Sequence, residues 1–272
     1  MLQTNKDRKV SVEDQGKVAR LLRKLESKQQ SKTLTTNPKD LIYAAALIEH
    51  CEKLKETGGH LQKLFQPGPL SIDHYSHHKA FFDATAKYKE VLFRAGNRCG
   101  KTEAGCYLAT CWATGLYPEW WEGRVFEKPT YGWIAGDTND TVRTILQDKL
   151  LGTPRGTGLI PDALIEDVVV RPNTGGTVDT IFVRHKPTGK ISRIKFKTYQ
   201  SGAESFYGAA PDYVMLDEEP AGKDAQTIWN QSYIRTMTTN GSLVITFTPL
   251  LGWTPMVRAF SESAVDLTPD DE

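Results

Sequence analysis

The stretch with the most chemistry in it runs from Val91 to Thr102 and reads VLFRAGNRCGKT. Val91, Leu92 and Phe93 form a short apolar run that suits a buried strand. The run breaks at Ala95-Gly96, and Gly100-Lys101-Thr102 then opens a segment of good helix formers, Glu103, Ala104, Tyr107, Leu108 and Ala109. Strand, Gly-containing loop and helix in that order is the setting a phosphate-binding loop requires. The backbone N–H groups of Ala95, Gly96, Asn97, Arg98, Cys99 and Gly100, with those of the first helical turn, would point at one spot where the helix dipole favours negative charge. Lys101 is spaced to reach the β- and γ-phosphates, and the Thr102 hydroxyl to hold Mg²⁺. The usual pattern begins with Gly five residues before the second Gly, and this chain has Ala95 there. Taken alone, the string fits either a nucleotide site or an ordinary turn into a helix.

A second string, Tyr213-Val214-Met215-Leu216-Asp217-Glu218, is an apolar strand that ends in two carboxylates. A buried parallel strand delivers its C-terminal residues to the sheet edge where a P-loop sits. Asp217 there can hold hydrated Mg²⁺, and Glu218 can polarise the attacking water as general base. The plainer reading has Asp217, Glu218 and Glu219 capping the loop before Pro220; the P-loop upstream favours the catalytic one. Arg98 lies inside the phosphate loop, where a guanidinium could serve as a cis arginine finger, worth ~10³–10⁵ in rate where one operates. A loop Arg satisfied by solvent is the other reading. A third string, Ser242 to Pro249, is a strand ending in Thr-x-Thr-Pro. The hydroxyls of Thr246 and Thr248 can sense a γ-phosphate through water and pass its loss to the next segment.

The elements that must position these strings read as follows. The 272 residues are 39% apolar and 25% charged, with a formal net charge of +1. That is ordinary for a soluble globular chain, and it excludes a broad basic field, so any nucleic-acid contact must be local. Cys51, Cys99, Cys106 and Cys111 lack a C-x-x-C spacing and read as reduced thiols. There is no signal-peptide pattern and no apolar run of membrane length, so the expectation is a soluble cytosolic protein. Residues 1–36 predict an N-terminal helical extension and linker, with a capping box at Ser11-x-x-Asp14 and Val18, Leu21, Leu22 and Leu25 at helical spacing. Asn37 and Pro38 open a second helix, and residues 37–260 make up the main domain. Helices are predicted over Ser71 to Lys87, after Thr138 (carrying Val142, Ile145 and Leu146) and over Asp224 to Met237. Strands are predicted over Thr130 to Gly136, Asp212 to Asp217 and Ser242 to Thr248, with a hairpin of Thr177 to Arg184 and Lys190 to Tyr199. This alternation implies an α/β fold, a mostly parallel sheet with helices on both faces. The acidic residues 261–272 read as a tail or linker. Within the hairpin, Arg193, Lys195 and Lys197 share one strand face, with Lys190 at the turn. That face could follow a phosphate backbone without reading bases, or be simply solvated.

Together Ala95 to Thr102, Leu216-Asp217-Glu218-Glu219-Pro220 and Thr246-Phe247-Thr248-Pro249 resemble the Walker A, Walker B and coupling motifs of the large terminase subunit, in the branch of P22-like podoviruses. Pro118-Glu119-Trp120-Trp121, Gly136 to Val142 and Ser205-Phe206-Tyr207-Gly208 are similar to that family too, and the likeness covers residues 70 to 260. The resemblance implies an ASCE-type P-loop ATPase that uses ATP and Mg²⁺ to pump double-stranded DNA into a procapsid. It also implies a pentameric ring, with the portal protein and the small terminase subunit as partners, working in the host cytoplasm. Relatives carry a further RNase H-like nuclease domain; this chain stops soon after the coupling string, so cutting is not expected of it, whether it is a shortened chain or a separately encoded motor. Many relatives place the loop Arg three residues before the second Gly, where this chain has Asn97. In some, a Gln that reads adenine stands where His78 stands here, and imidazole can stack on adenine or hydrogen-bond to it. A metal site of His74, His77 and His78 would lack a carboxylate or thiol to complete it. Two rivals are a helicase-like nucleic-acid ATPase, which should carry further Arg motifs after Thr248, and a non-catalytic module that docks portal or small terminase.

Overall fold

Among the described residues, seven strands of five to eight residues, cut by polar loops, form a single sheet: β1 (Glu90–Arg94), β2 (Tyr131–Gly136), β3 (Ile165–Val170), β4 (Val178–Arg184), β5 (Ile191–Thr198), β6 (Tyr213–Asp217) and β7 (Ser242–Phe247). Their order across the sheet is β1-β7-β6-β2-β5-β4-β3. The structure, a computed structural model, describes residues 60–263 except 62, 173 and 251, together with Ile48. The chain divides into two compact units, Met1–Lys53 and Leu54–Glu272, and apart from Ile48 the described residues lie in the second. The expected N-terminal helical extension, its boundary at residues 36–37, the helix after Asn37 and Cys51 all lie outside the described residues.

β1, β7, β6, β2 and β5 run parallel, whereas β5, β4 and β3 form an antiparallel meander. Side chains that alternate along the parallel strands feed two cores, because successive residues of a strand point to opposite faces. Tyr213, Met215, Val244 and Ile134 enter one core with α1 (Ser76–Lys87) and α2 (Lys101–Thr114). Val214, Leu216, Leu243, Ile245, Phe247 and Trp133 enter the other, with Ile228 of α4 (Ala225–Met237) and Met256 and Val257 of α5 (Pro255–Ser263). Helices thus cover both faces, as the pattern implies. Among the described residues no helix is long and apolar enough to cross a membrane.

The departures from expectation have local causes. The helix foreseen from Ser71 begins at Ser76, because Tyr75 (φ −131°) separates it from a 3-10 turn, Ile72–His74, that the Ser71 side chain caps. Thr138 does cap the run at residues 139–151 (α3), its hydroxyl accepting from the Thr141 N–H at 3.2 Å. Val142 and Leu146 are buried, but Ile145 is 40% exposed. The central part, Val142–Gln147, is a π-helical turn, and its wider repeat carries Ile145 outward and Gln147 inward. Gln147 there makes two hydrogen bonds to the Val178 backbone. β3 was not foreseen. Its sequence, IEDVVV, lacks alternation, and as an edge strand it leaves Val169 and Val170 exposed. Helix α5 was also not foreseen, and it carries Ser261 and Glu262 out of the expected tail.

The strand edge opposite the P-loop is held by close approach. A Cβ on Gly132 would lie 2.0–2.4 Å from the Tyr213 ring, which covers Gly132 from the neighbouring strand. The ring is fully buried against Trp112 and has no free side to move into. Gly132→Ala is expected to lower stability by about 1–3 kcal/mol through overpacking, read as a lower urea midpoint with an unchanged slope. An unchanged midpoint would mean that the ring yields.

Candidate active site

β7 lies between β1 and β6, so the loops after all three strands meet at one edge of the sheet. The loop after β1 holds two left-handed residues, Arg98 (φ +62°) and Gly100 (φ +75°), just before Lys101 starts α2. Such alternation turns successive N–H groups inward and makes an anion-binding nest. Gly suits its position without penalty; Arg98 does not, and a left-handed non-Gly residue is strained. The Arg98 side chain itself is exposed. Lys101 is 5% exposed, and its ammonium donates to the Gly96 carbonyl at 2.7 Å, folded back over the loop.

Asp217 ends β6 at 4% exposure. The Thr246 hydroxyl donates to its Oδ1 at 2.8 Å, and the Thr102 hydroxyl is near enough to favour its charged form. Burial raises its pKa to about 6, against these two donors and nearby Lys101. Glu218 follows in a left-handed conformation (φ +61°). Its N–H donates to the Thr246 carbonyl at 2.7 Å, and its Oε2 accepts from the Thr248 N–H at 3.0 Å. The Thr248 hydroxyl donates to Asn97 Oδ1 at 3.0 Å. Thr248 therefore touches the phosphate loop and the acidic turn at once. The C-terminal ends of the three strings, the loop before Lys101, the Asp217-Glu218 turn and Thr246 to Thr248, meet at this edge.

His78 is 8% exposed. Its ring packs among Phe93, Tyr75 and Phe65, and its Nε2 would lie 3.1 Å from a Cβ on Gly100. It is thus a neighbour of the phosphate loop, with its pKa lowered chiefly by burial. A hydroxyl that the motifs do not announce also enters the site. Tyr199, just after β5, reaches the backbone carbonyls of Asp217 and Glu218 at 3.1 and 2.9 Å. Its only sequence signal is its place at the end of a strand that shares this edge.

The expected row of cations on β5 is corrected. Lys190 and Arg193 are exposed, with the Arg193 guanidinium over the Tyr131 ring. Lys195 is half-exposed and lies 3.6 Å from Asp179. Lys197 is 8% exposed, with its ammonium 4.1 Å from the centre of the Trp133 ring, near Phe206, and bonded to the Ser205 carbonyl. β5 is an inner strand, so the segment after it covers the end where Lys197 stands, and no ladder of three cations faces solvent.

A strand inserted between the P-loop strand and the strand bearing the acidic pair is the mark of the ASCE class of P-loop NTPase folds, and this sheet has it in β7. Residues 92–264 match the family model described as terminase large subunit, T4likevirus-type, N-terminal, and the chain belongs to that family. Against the large terminase subunit of Salmonella phage P22 it is 30% identical over 249 residues, 82% of this chain and 47% of that protein. The chain thus spans about half the length of this curated relative. Among solved structures, the ATPase domain of the Thermus phage P74-26 large terminase is similar at a TM-score of 0.42 and 19% identity, over 67% of this chain and 69% of that one. The bacteriophage HK97 large terminase has a TM-score of 0.43 and 15% identity, over 67% and 34%.

Burial, then the cations Lys195 and Arg171, lowers the Lys197 pKa to about 8. Below that pH the amine is charged in both the folded and the unfolded chain. Between about 8 and the ordinary lysine value of 10.5, the unfolded chain holds the proton that the folded chain has shed. Stability from this group therefore rises with pH across that window. Lys197→Met is expected to melt higher than the parent at pH 7, with the gap narrowing toward pH 10. A gap that does not change with pH would show that Lys197 keeps an ordinary pKa.

Proposed function

We propose that this chain is the ATP-hydrolysing motor of a phage terminase, driving double-stranded DNA into a procapsid. The observation that carries the proposal is the Thr248 bridge, which joins a phosphate-loop side chain to the carboxylate best placed to act as base. Lys101 binds the β- and γ-phosphates by leaving the Gly96 carbonyl, and the N–H groups from Ala95 to Gly100 cradle them. Glu218 takes a proton from the attacking water, Arg98 neutralises charge on the transferred group, and His78 sets the wall beside the base.

The residues present fit Mg²⁺. Asp217, Thr102 and Thr246 offer hard oxygens, and a buried carboxyl whose pKa lies near 6 is one that gains from a cation. Asp217 and Thr102 would hold the ion, which would offset negative charge on the phosphates. Thr246 and Thr248 couple the site to the segment that follows β7. Lys190, Arg193 and Lys195 remain as contacts to the DNA backbone, and Lys197 is set aside. The reading includes a pentameric ring on the portal, recruited with the small terminase subunit in the host cytoplasm.

The test is steady-state hydrolysis of Mg-ATP, with and without double-stranded DNA. Glu218→Gln keeps the shape and removes the base, so turnover should fall about 10²–10⁴-fold while a fluorescent ATP analogue still binds. Equal turnover in the two would remove Glu218 from the chemistry, and no binding to the parent would overturn the nucleotide site.

Thr248→Val removes the bond to Asn97 but keeps the N–H that Glu218 uses. Basal turnover is expected to fall by no more than about fivefold, since a single neutral hydrogen bond is worth about 1 kcal/mol, while stimulation by DNA is lost. Retained stimulation would exclude Thr248 from the coupling path.

A further inference from the structure

Glu218 stands in a backbone conformation that L-residues with side chains seldom adopt, φ +61°. Left-handed non-Gly residues persist only where surrounding contacts over-determine them. Two contacts are backbone to backbone or carboxylate to backbone: the Glu218 N–H to the Thr246 carbonyl and Oε2 to the Thr248 N–H. Both are lost or altered if the turn relaxes, so neither can define it alone. The contact independent of β7 comes from Tyr199. Its ring is buried among the residues of the second core, and its hydroxyl reaches the carbonyls of Asp217 at 3.1 Å and Glu218 at 2.9 Å, with that of Ala135 at 3.5 Å.

Three carbonyls converge on one phenol, which has one proton to give. Burial and the neighbouring carboxylates Asp217, Glu218 and Asp137 hold the phenol in its protonated form, so it remains a donor. The peptide units flanking the Glu218 Cα are thereby tied to β5, a strand that carries none of the three motifs. Fixing those peptide units fixes the direction of the Glu218 Cα–Cβ bond, from which the carboxylate is aimed.

We infer that Tyr199 is a positioning residue for the ATPase reaction: its hydroxyl holds the Asp217-Glu218 turn in the left-handed form that aims the Glu218 carboxylate. Its hydroxyl is directed at backbone carbonyls, so it acts through Glu218. This inference rests on Glu218 being the general base.

The test compares the full chain, Tyr199→Phe, Glu218→Gln and the double variant. Tyr199→Phe keeps the ring and deletes only the hydroxyl. With Tyr199→Phe, kcat should fall about tenfold, the size of one well-placed hydrogen bond, with KM for ATP and binding of a fluorescent ATP analogue unchanged. In the Glu218→Gln background the same change should add no further loss, because residues that act as a unit are not additive. Amide hydrogen exchange of residues 217–222 should quicken in Tyr199→Phe while that of β7 stays slow, a readout that needs no turnover. Unchanged kcat with unchanged exchange overturns the inference. So does a loss in Tyr199→Phe that is repeated in full on top of Glu218→Gln, or a fall in nucleotide affinity of the same size, which would mark a general structural role. If Glu218→Gln alone turns over like the parent, the general-base reading has failed and the inference falls with it, and that single-variant result tells the two failures apart.

Discussion

Thr248 is held at two points, and the geometry of the site depends on both. Its N–H is tied to the Glu218 carboxylate and its hydroxyl to Asn97. This is possible only because β7 runs between the strands that carry the phosphate loop and the acidic pair. Were β1 and β6 direct neighbours, the loop and the acids would still share an edge, but no third strand end would lie between them. The register makes the placement strict: Phe93 pairs with Thr246 on one side, and Thr246 with Asp217 on the other. A one-residue slip would turn Thr246 and Asp217 to opposite faces, and the bond from the Thr246 hydroxyl to Asp217 would go with it.

The site concentrates costs that the cores must offset. Asp217 and Lys101 are nearly fully buried, and burying charge without a partner is expensive. Here each has hydrogen-bonding partners supplied by the three strand ends. Arg98 and Glu218 add two left-handed non-Gly residues, one in the loop after β1 and one just after β6. Strain of about 1–3 kcal/mol per such residue persists where rigid neighbours define it. The neighbours are rigid for a simple reason: β6 and β7 are buried along their whole lengths, so their ends cannot drift apart without opening both cores. A stiff sheet below thus holds the strained loops above it.

The convergence of the candidate site was largely legible in the sequence because its residues lie in contiguous strings. Gly100-Lys101-Thr102 after an apolar run, and Asp217-Glu218 after another, each specify a strand end, and parallel strands bring such ends to one edge. What depends on distant packing was not legible. Lys197 alternates with Ile194 and Phe196 just as a solvent-facing cation would, and only the fold shows that Trp133 and Phe206 close over it. β3 escaped because an edge strand buries one partner instead of two and needs no apolar alternation. Tyr199 escaped because its partners are backbone carbonyls, which leave no mark on the residue types around them.

The burial of Lys197 bears on how hydrolysis would reach DNA. β5 offers the exposed cations Lys190 and Arg193 at its start, while its far end carries Lys197 and leads into Tyr199 at the acidic turn. The two ends are joined by hydrogen-bonded strand flanked on both sides, by β2 and by β4. Such a strand is poor at bending, because the ladders on both sides hold it. On the proposed reading, a change at the Glu218 turn that releases Tyr199 would therefore reach Arg193 only by moving β5 together with its neighbours. The Thr248 route is different: β7 ends in a loop with Leu250 and Trp253 exposed and then α5, so motion there is local to that segment. The two routes respond to different bonds, Tyr199 to the backbone of the acidic turn and Thr248 to the Glu218 carboxylate. The carboxylate is the part that the reaction itself alters, which gives the β7 route the earlier signal.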